Sequence, residues 1–218
     1  YLHYTSNNTI FGTQYAGVPD TGEVDLFCDM SSDILSRPVD TSRFALIYAG
    51  AQKNMGPAGV TLVIVRKDLL ERCPDNLPEV MNYRLVAGKN SMLNTPPVFP
   101  IYLVGLVAKH LLALGGLAAV GNTNRAKNGA IYSAIDGSGG FCTGHAQRGS
   151  RSQMNVTFRT GSAELDQRFV AEATAAGMTG LKGHRSVGGL RASIYNAVPL
   201  ASVQTLTEFM AEFARKNG

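Results

Sequence analysis

The chain contains no tryptophan, only three cysteines and only four histidines, and none of these scarce residues is clustered. Cys28, Cys73 and Cys142 are an odd number at wide spacing, which excludes a disulfide framework and leaves no Cys-x-x-Cys pair for zinc. His3, His110, His145 and His184 form neither a His-Glu-x-x-His pattern nor a mixed His/Cys group, so no metal centre is expected. Long apolar runs are lacking too. The longest candidate, Val98–Leu114, is broken by Lys109 and His110 and falls short of a bilayer span. The opening residues, Tyr1-Leu2-His3-Tyr4-Thr5, have neither the basic start nor the apolar middle of a signal peptide. They begin directly in strand-like sequence without a methionine, and the expectation is a chain that starts within a longer protein. A reducing, cytosolic (cytoplasmic) setting without a membrane fits these absences.

Charge is sparse and mixed. Charged residues make up 17% of the chain, and its formal excess of +4 is spread along the sequence rather than gathered in a basic block. That dispersal argues against nucleic-acid binding, while a modest positive balance suits small anionic substrates.

What is present reads as a mixed α/β protein. Val24–Cys28, Phe44–Tyr48 and Val60–Val65 are short apolar runs bounded by turn residues, the pattern of buried strands. Strands that are apolar throughout predict a sheet covered on both faces. The texture changes after Asn94-Thr95-Pro96-Pro97. Val98–Leu114 and Leu117–Ile135 predict two helices separated by Gly115-Gly116, a C-cap signal. Met154–Arg159 and Leu190–Tyr195 read as strands, and Glu164–Ala176 and Val203–Ala214 as amphipathic helices. The expected division is residues 1–97 as part of one larger α/β domain and residues 98–218 as a smaller α+β domain.

Two residues stand out for chemistry. Lys53 follows an apolar strand within Gly50-Ala51-Gln52-Lys53-Asn54, where small neighbours let a flat ligand approach the backbone. A lysine partly withdrawn from water can act as an amine nucleophile toward a carbonyl. Taken locally, a surface lysine in a turn explains the same residues. Asp29 ends the preceding strand candidate, so both side chains are expected at one edge of one sheet. Pyridoxal-phosphate (PLP) chemistry needs such a pair: a lysine to hold the cofactor carbonyl carbon, and a carboxylate to keep the ring nitrogen protonated. A helix cap or turn role before Ser31-Ser32 is the alternative for Asp29.

Four segments then occur in order: Asp29-Met30-Ser31-Ser32-Asp33-Ile34-Leu35-Ser36-Arg37-Pro38, Tyr48-Ala49-Gly50-Ala51-Gln52-Lys53-Asn54, Asn94-Thr95-Pro96-Pro97, and Lys182-Gly183-His184-Arg185-Ser186-Val187-Gly188-Gly189-Leu190-Arg191-Ala192-Ser193. Together they resemble the phosphoserine aminotransferases, class-V, fold-type I PLP-dependent enzymes, and the resemblance runs from Tyr1 to the C-terminus. It implies the aspartate-aminotransferase-like PLP-dependent transferase fold, with an incomplete large domain followed by the small C-terminal domain.

The resemblance also implies roles. Lys53 matches the lysine that forms the Schiff base, and Asp29 the partner of the pyridinium nitrogen. Thr9 matches a threonine bonded to the ring hydroxyl, and Gln52 a residue on the cofactor phosphate. Asn94 and Thr95 match residues that reach the cofactor of the neighbouring subunit, making a homodimer with shared active sites. Arg191 matches the arginine that grips the substrate α-carboxylate, while His184 and Arg185 match the pair that binds the substrate phosphate, again across the dimer interface. Without the resemblance, the 182–185 segment reads more readily as a solvated basic loop. Arginine forks in a glycine-rich stretch nonetheless suit bidentate binding of carboxylate or phosphate.

The implied reaction moves an amino group between glutamate and 3-phosphohydroxypyruvate, giving 2-oxoglutarate and phosphoserine for serine biosynthesis. Family members carry an N-terminal part with more phosphate contacts and an aromatic residue stacked on the ring, and no tryptophan in this chain can supply that stacking. Two alternatives stay open: another PLP enzyme of the same fold, such as a desulfurase or an alanine–glyoxylate-type aminotransferase, and an inactive fragment serving only dimerisation and packing.

Overall fold

Nine strands and six α-helices follow one another along the computed structural model, which describes residues 1–218. The first half carries β1 (Leu2–Thr5), β2 (Asn7–Asn8), β3 (Thr13–Gln14), β4 (Leu26–Asp29), β5 (Leu46–Gly50) and β6 (Thr61–Val65). Short helices α1 (Lys67–Glu71) and α2 (Tyr83–Gly88) lead to the long α3 (Val98–Ala113) and α4 (Gly116–Asp136). The last third contains β7 (Thr143–Gly144), β8 (Asn155–Arg159), α5 (Ala163–Ala175), β9 (Leu190–Ser193) and α6 (Leu200–Asn217).

The main sheet has the order β1-β4-β5-β6, with the first two pairings parallel and β5–β6 antiparallel. Register aligns Thr5 with Asp29 and Asp29 with Tyr48, so the carboxyl ends of three parallel strands share one edge. In open parallel sheets that edge is where ligands bind. A core of Tyr4, Leu26, Cys28, Ile47, Ala49 and Met55 packs one face of the sheet. The other face differs from the expectation of cover on both sides. Leu26 and Cys28 are buried, Phe27 and Asp29 only half-buried, and no residue of β6 is buried. Apolar composition made these runs strands, but α1 and α2 are short and bury no side chain, so that face is covered only in part, with Leu46 its one buried strand residue.

Helices α3 and α4 are broken from each other by Gly115, whose φ of +99° is strained for any residue with a Cβ. Their axes bend by 83° there, and no single helix is long and apolar enough to cross a membrane. Along α3 only Leu111 is buried, while Val98, Phe99, Tyr102 and Leu112 are exposed. Val104 nevertheless packs against the first core.

A second core sits between α4, α5, α6 and the antiparallel sheet β7-β8-β9. Phe169 is its centre, meeting Phe158, Phe209 and Phe213 edge-on at ring-centroid distances of 5.9, 5.0 and 5.0 Å. Such edge-to-face pairs add to the burial gain. Ser162 caps α5 by accepting the Leu165 N–H, and Glu164 and Asp166 in the first turn suit the positive end of the helix dipole.

Much of the seam between the cores is polar. The Asn7 amide donates to Ser32 Oγ and to Asn155 Oδ1, both at 2.8 Å, and Gln14 Oε1 accepts the Gln153 N–H at 2.9 Å. Each bond satisfies a group that burial would otherwise penalise.

Candidate active site

Asp29 occupies the last position of β4, and Ser31 ties its turn to the neighbouring strand. The Ser31 N–H donates to Asp29 Oδ1 at 2.8 Å, while Ser31 Oγ accepts the Gly50 N–H at 3.1 Å. The first bond is the turn role considered for Asp29 in the sequence. It uses one carboxylate oxygen, and Asp29 enters no ion pair.

Lys53 stands in the turn just beyond the carboxyl end of β5, half-buried. Two backbone bonds close this turn, from Met55 and Gly56 N–H to the Ala51 carbonyl at 3.1 and 2.8 Å. Lys53 has no salt-bridge partner within the chain. Gln52 folds back over Gly50: a Cβ on Gly50 would lie 2.6 Å from Gln52 Oε1. Glycine leaves the space that the Gln52 amide occupies.

Thr9 lies in the turn of the β2–β3 hairpin, which follows β1. The Ser6 N–H donates to the Asp29 carbonyl at 3.0 Å, anchoring the start of this hairpin beside β4. Arg191, on β9 of the other core, reaches across and donates through Nη1 to the Thr9 carbonyl at 3.0 Å. Its Nε is buried and has no hydrogen-bond partner. A buried guanidinium N–H left unpaired costs free energy, and an anionic ligand would relieve it. Arg191 also has no carboxylate partner within the chain.

His184 and Arg185 sit on a tight glycine-bounded loop. The Gly183 N–H donates to the Gly189 carbonyl at 2.8 Å, and the Val187 and Gly188 N–H groups close on the His184 carbonyl at 3.0 and 2.8 Å. The His184 Nδ1 accepts the Ser186 N–H at 3.3 Å and lies 2.7 Å from Ser186 Oγ. A neutral ring held this way carries its proton on Nε2, a donor for an anionic oxygen. Beside the loop lies a cleft of about 520 Å³ lined in part by Phe11, His145, Thr157, Arg159 and His184. Arg159 supports the loop from below, donating to the Val187 carbonyl.

Asp29, Gln52 and Lys53 thus lie at the carboxyl ends of β4 and β5, and Arg191 is tied to the Thr9 turn, while His184 and Arg185 lie on a separate loop. Asn94 and Thr95 are not brought to that edge. Both are exposed between α2 and α3, where the Asn94 amide only touches the Thr95 carbonyl at 3.4 Å. Ser31, Arg159 and Asn54 were missed as supporting residues. Of these, Ser31 and Asn54 carried a signal, since both stand in the segments that hold Asp29 and Lys53.

These residues fit PLP on the evidence of the chain itself. Lys53 and Asp29 stand at the carboxyl ends of adjacent parallel strands with neither in an ion pair, and Arg191, bonded through Nη1 to the Thr9 carbonyl, keeps a buried Nε–H without a partner.

Comparison with known proteins agrees. The family model described as aminotransferase class-V matches residues 1–206. A phosphoserine aminotransferase of Geobacillus kaustophilus is 59% identical over 99% of this chain and 60% of its own length. The solved phosphoserine aminotransferase of Bacillus circulans subsp. alkalophilus superposes with a TM-score of 0.98 at 56% identity, covering 100% of this chain and 60% of that one. A PLP-bound phosphoserine aminotransferase from Trichomonas vaginalis gives 0.91 at 40% identity, covering 96% of this chain and 60% of that one. The chain spans about 60% of the length of the relatives it matches. Its fold is that of the aspartate-aminotransferase-like PLP-dependent transferases, present in part. By sequence and by fold, this chain belongs to the aminotransferase class-V family.

Proposed function

We propose that the protein carrying this chain is a PLP-dependent phosphoserine aminotransferase, exchanging an amino group between glutamate and 3-phosphohydroxypyruvate in serine biosynthesis. The observation that carries this reading is the convergence of Lys53 and Asp29 on one sheet edge, with Arg191 reaching that edge from the second core. PLP, when bound, supplies the electron sink for breaking the Cα–H bond of the amino acid.

The chain's residues then divide the work. Asp29 offers the carboxylate oxygen left free by its turn to a protonated ring nitrogen, which favours the charged ring. Lys53 would hold the cofactor through its amine, and its Nζ would be the group that takes up and returns the proton the reaction moves. Thr9 and Gln52 orient the ring hydroxyl and the cofactor phosphate. Arg191 binds the substrate α-carboxylate, satisfying its unpaired N–H. His184 and Arg185 bind the phosphate of the substrate, the histidine through Nε2–H and the arginine as a fork.

The same reading includes a cytoplasmic homodimer with shared active sites, in which the exposed Asn94 and Thr95 serve the neighbouring subunit's cofactor. The exposed apolar side chains of α3 support an intersubunit or interdomain role for that face. It also retains residues 1–97 as part of the large domain and 98–218 as the small one. The two separate cores support that division, and the packing of Val104 on the first core makes α3 the element that joins them. The phosphoserine aminotransferase relatives do not favour a desulfurase, an alanine–glyoxylate-type enzyme or a packing fragment.

The test is substrate discrimination. Replacing His184 and Arg185 together by alanine should lower kcat/KM for 3-phosphohydroxypyruvate by about a hundredfold or more, as expected for loss of charge-assisted bonds, with cofactor binding unchanged. Equal losses with an unphosphorylated keto acid would contradict the assignment.

A further inference from the structure

Three consecutive carbonyls, those of Ile34, Leu35 and Ser36, are each gripped by a different asparagine side chain. Asn54, one residue after Lys53, donates to Ile34 O at 2.7 Å. Asn196, three residues beyond the end of β9, donates to Leu35 O at 2.9 Å. Asn124, on α4, donates to Ser36 O at 2.9 Å. The three asparagines also bond one another: Asn54 Oδ1 accepts the Asn196 N–H at 2.8 Å, and Asn196 Oδ1 accepts from the Asn124 amide at 2.8 Å.

The gripped segment begins five residues after Asp29, and Leu35 holds a φ of +60°, a conformation that a leucine keeps only when its surroundings impose it. Asn54 and Asn124 are buried, so their amides have no water to fall back on. On both sides of Asn196 the chain is pinned again. Buried Lys127 donates to the carbonyls of Ile194, Tyr195 and Val198 at 3.0, 2.8 and 3.0 Å.

We propose that Asn196 is a positioning residue: with Asn54 and Asn124 it clamps the 34–36 turn and so fixes Arg191 relative to Lys53 and Asp29. The inference rests on the functional reading above, in which Arg191 holds the substrate of a reaction centred on Lys53. The clamp draws one member from the Lys53 turn, one from the segment following the Arg191 strand and one from α4, and all three close on the turn that follows Asp29. Slack in it lets the carboxylate-binding arginine drift from the reacting centre without touching either residue directly. Misplacement of that kind costs rate and affinity even when every catalytic group is intact.

The experiment compares Asn196→Ala with the unsubstituted protein that carries this chain, by amide hydrogen exchange and by kinetics. Exchange is expected to accelerate by about tenfold in peptides covering residues 30–37 and 51–56, on the far side of the clamp, as well as around residue 196. Acceleration confined to residues 190–198 overturns the clamp. In kinetics, KM for glutamate is expected to rise about tenfold with kcat changed far less, and borohydride capture of PLP at Lys53 to be unchanged. In an Arg191→Ala background the same substitution should raise KM no further, since Asn196 acts through Arg191. An additive loss overturns the positioning role. Should Asn196→Ala fail to fold, Asn124→Ala, which leaves the Asn196–Leu35 bond in place, carries the same comparison. Absence of PLP capture in the unsubstituted protein would overturn the functional reading, and with it the positioning role, while the exchange comparison still decides whether the clamp exists.

Discussion

The side-chain oxygen of Asn54, next in sequence to Lys53, accepts the backbone N–H of Asn196 at 2.8 Å across 142 residues of chain. The bond joins the lysine turn of the first core to the strand end of the second. Removing it should be costly, because Asn54→Ala orphans the Asn196 N–H and the Ile34 carbonyl together in a buried place. We expect a loss of roughly 2–4 kcal/mol in unfolding free energy, the penalty for two buried groups left unpaired. Chemical denaturation of the protein with and without the substitution measures it. A loss below about 0.5 kcal/mol, the size of an ordinary surface change, would mean that water replaces these bonds freely.

Lys127 makes stability depend on alkaline pH in a definite direction. Burial pushes its amine down from 10.5 to about 8. Between those values the unfolded chain binds the proton that the folded chain has released, so the contribution of Lys127 to stability rises with pH. Below about 8 the amine is charged in both states and the full cost of burying that charge is present. The stability gap between the unsubstituted protein and Lys127→Met should therefore widen in favour of lysine from pH 8 to 10.5, by at most about 1.4 kcal/mol per pH unit. Comparing the two proteins cancels the tyrosines and thiols that titrate in the same range. A gap that narrows over this window would show that burial does not depress the amine.

Gly183 is expected to tolerate no side chain. A Cβ there would sit 2.0 Å from the Gly188 carbonyl oxygen, backbone against backbone, so the 183–189 loop must open. Gly183→Ala should raise KM for the phosphorylated keto acid about tenfold or more by displacing His184 and Arg185, while leaving PLP bound. An unchanged KM would remove that loop from substrate recognition.

The centre of the second core predicts a conventional packing effect. Phe169 is fully buried among three other phenylalanines, and Phe169→Ala should cost roughly 3–5 kcal/mol. Thermal or denaturant unfolding reads this directly, and a cost under about 1 kcal/mol would mean that the core collapses to fill the space.

Much of this architecture was legible because composition and periodicity speak locally. The runs chosen as strands are strands, with shifts that have causes. Val24 belongs to a turn, its N–H bonded to the Thr21 carbonyl, so β4 starts at Leu26 and reaches Asp29. Helix α6 starts at Leu200 rather than Val203, because Pro199 stands at its cap with a φ of −72° already suited to entering a helix. The hairpin of β2 and β3 escaped notice because each strand is two polar residues long, without alternation to read.

The candidate site divided along the same line. Lys53 and Asp29 were visible as residues at strand ends, and the resemblance supplied roles for the rest. The asparagine clamp was not visible, since its members lie at positions 54, 124 and 196 and only folding makes them neighbours. Nor does any glycine mark the positive φ of Leu35. Cover for the second face of the sheet could not be judged from strands that were apolar throughout, because apolarity does not say which chain segment provides it.

Everything proposed for this chain turns on whether Lys53 is the residue that takes the cofactor. Intact-mass analysis after incubation with PLP and borohydride reduction, on the unsubstituted protein beside Lys53→Ala, decides it. The account predicts one phosphopyridoxyl adduct per chain, mapped to Lys53 and absent from the substituted protein. An adduct that persists in Lys53→Ala, or that spreads over several surface lysines, would contradict it.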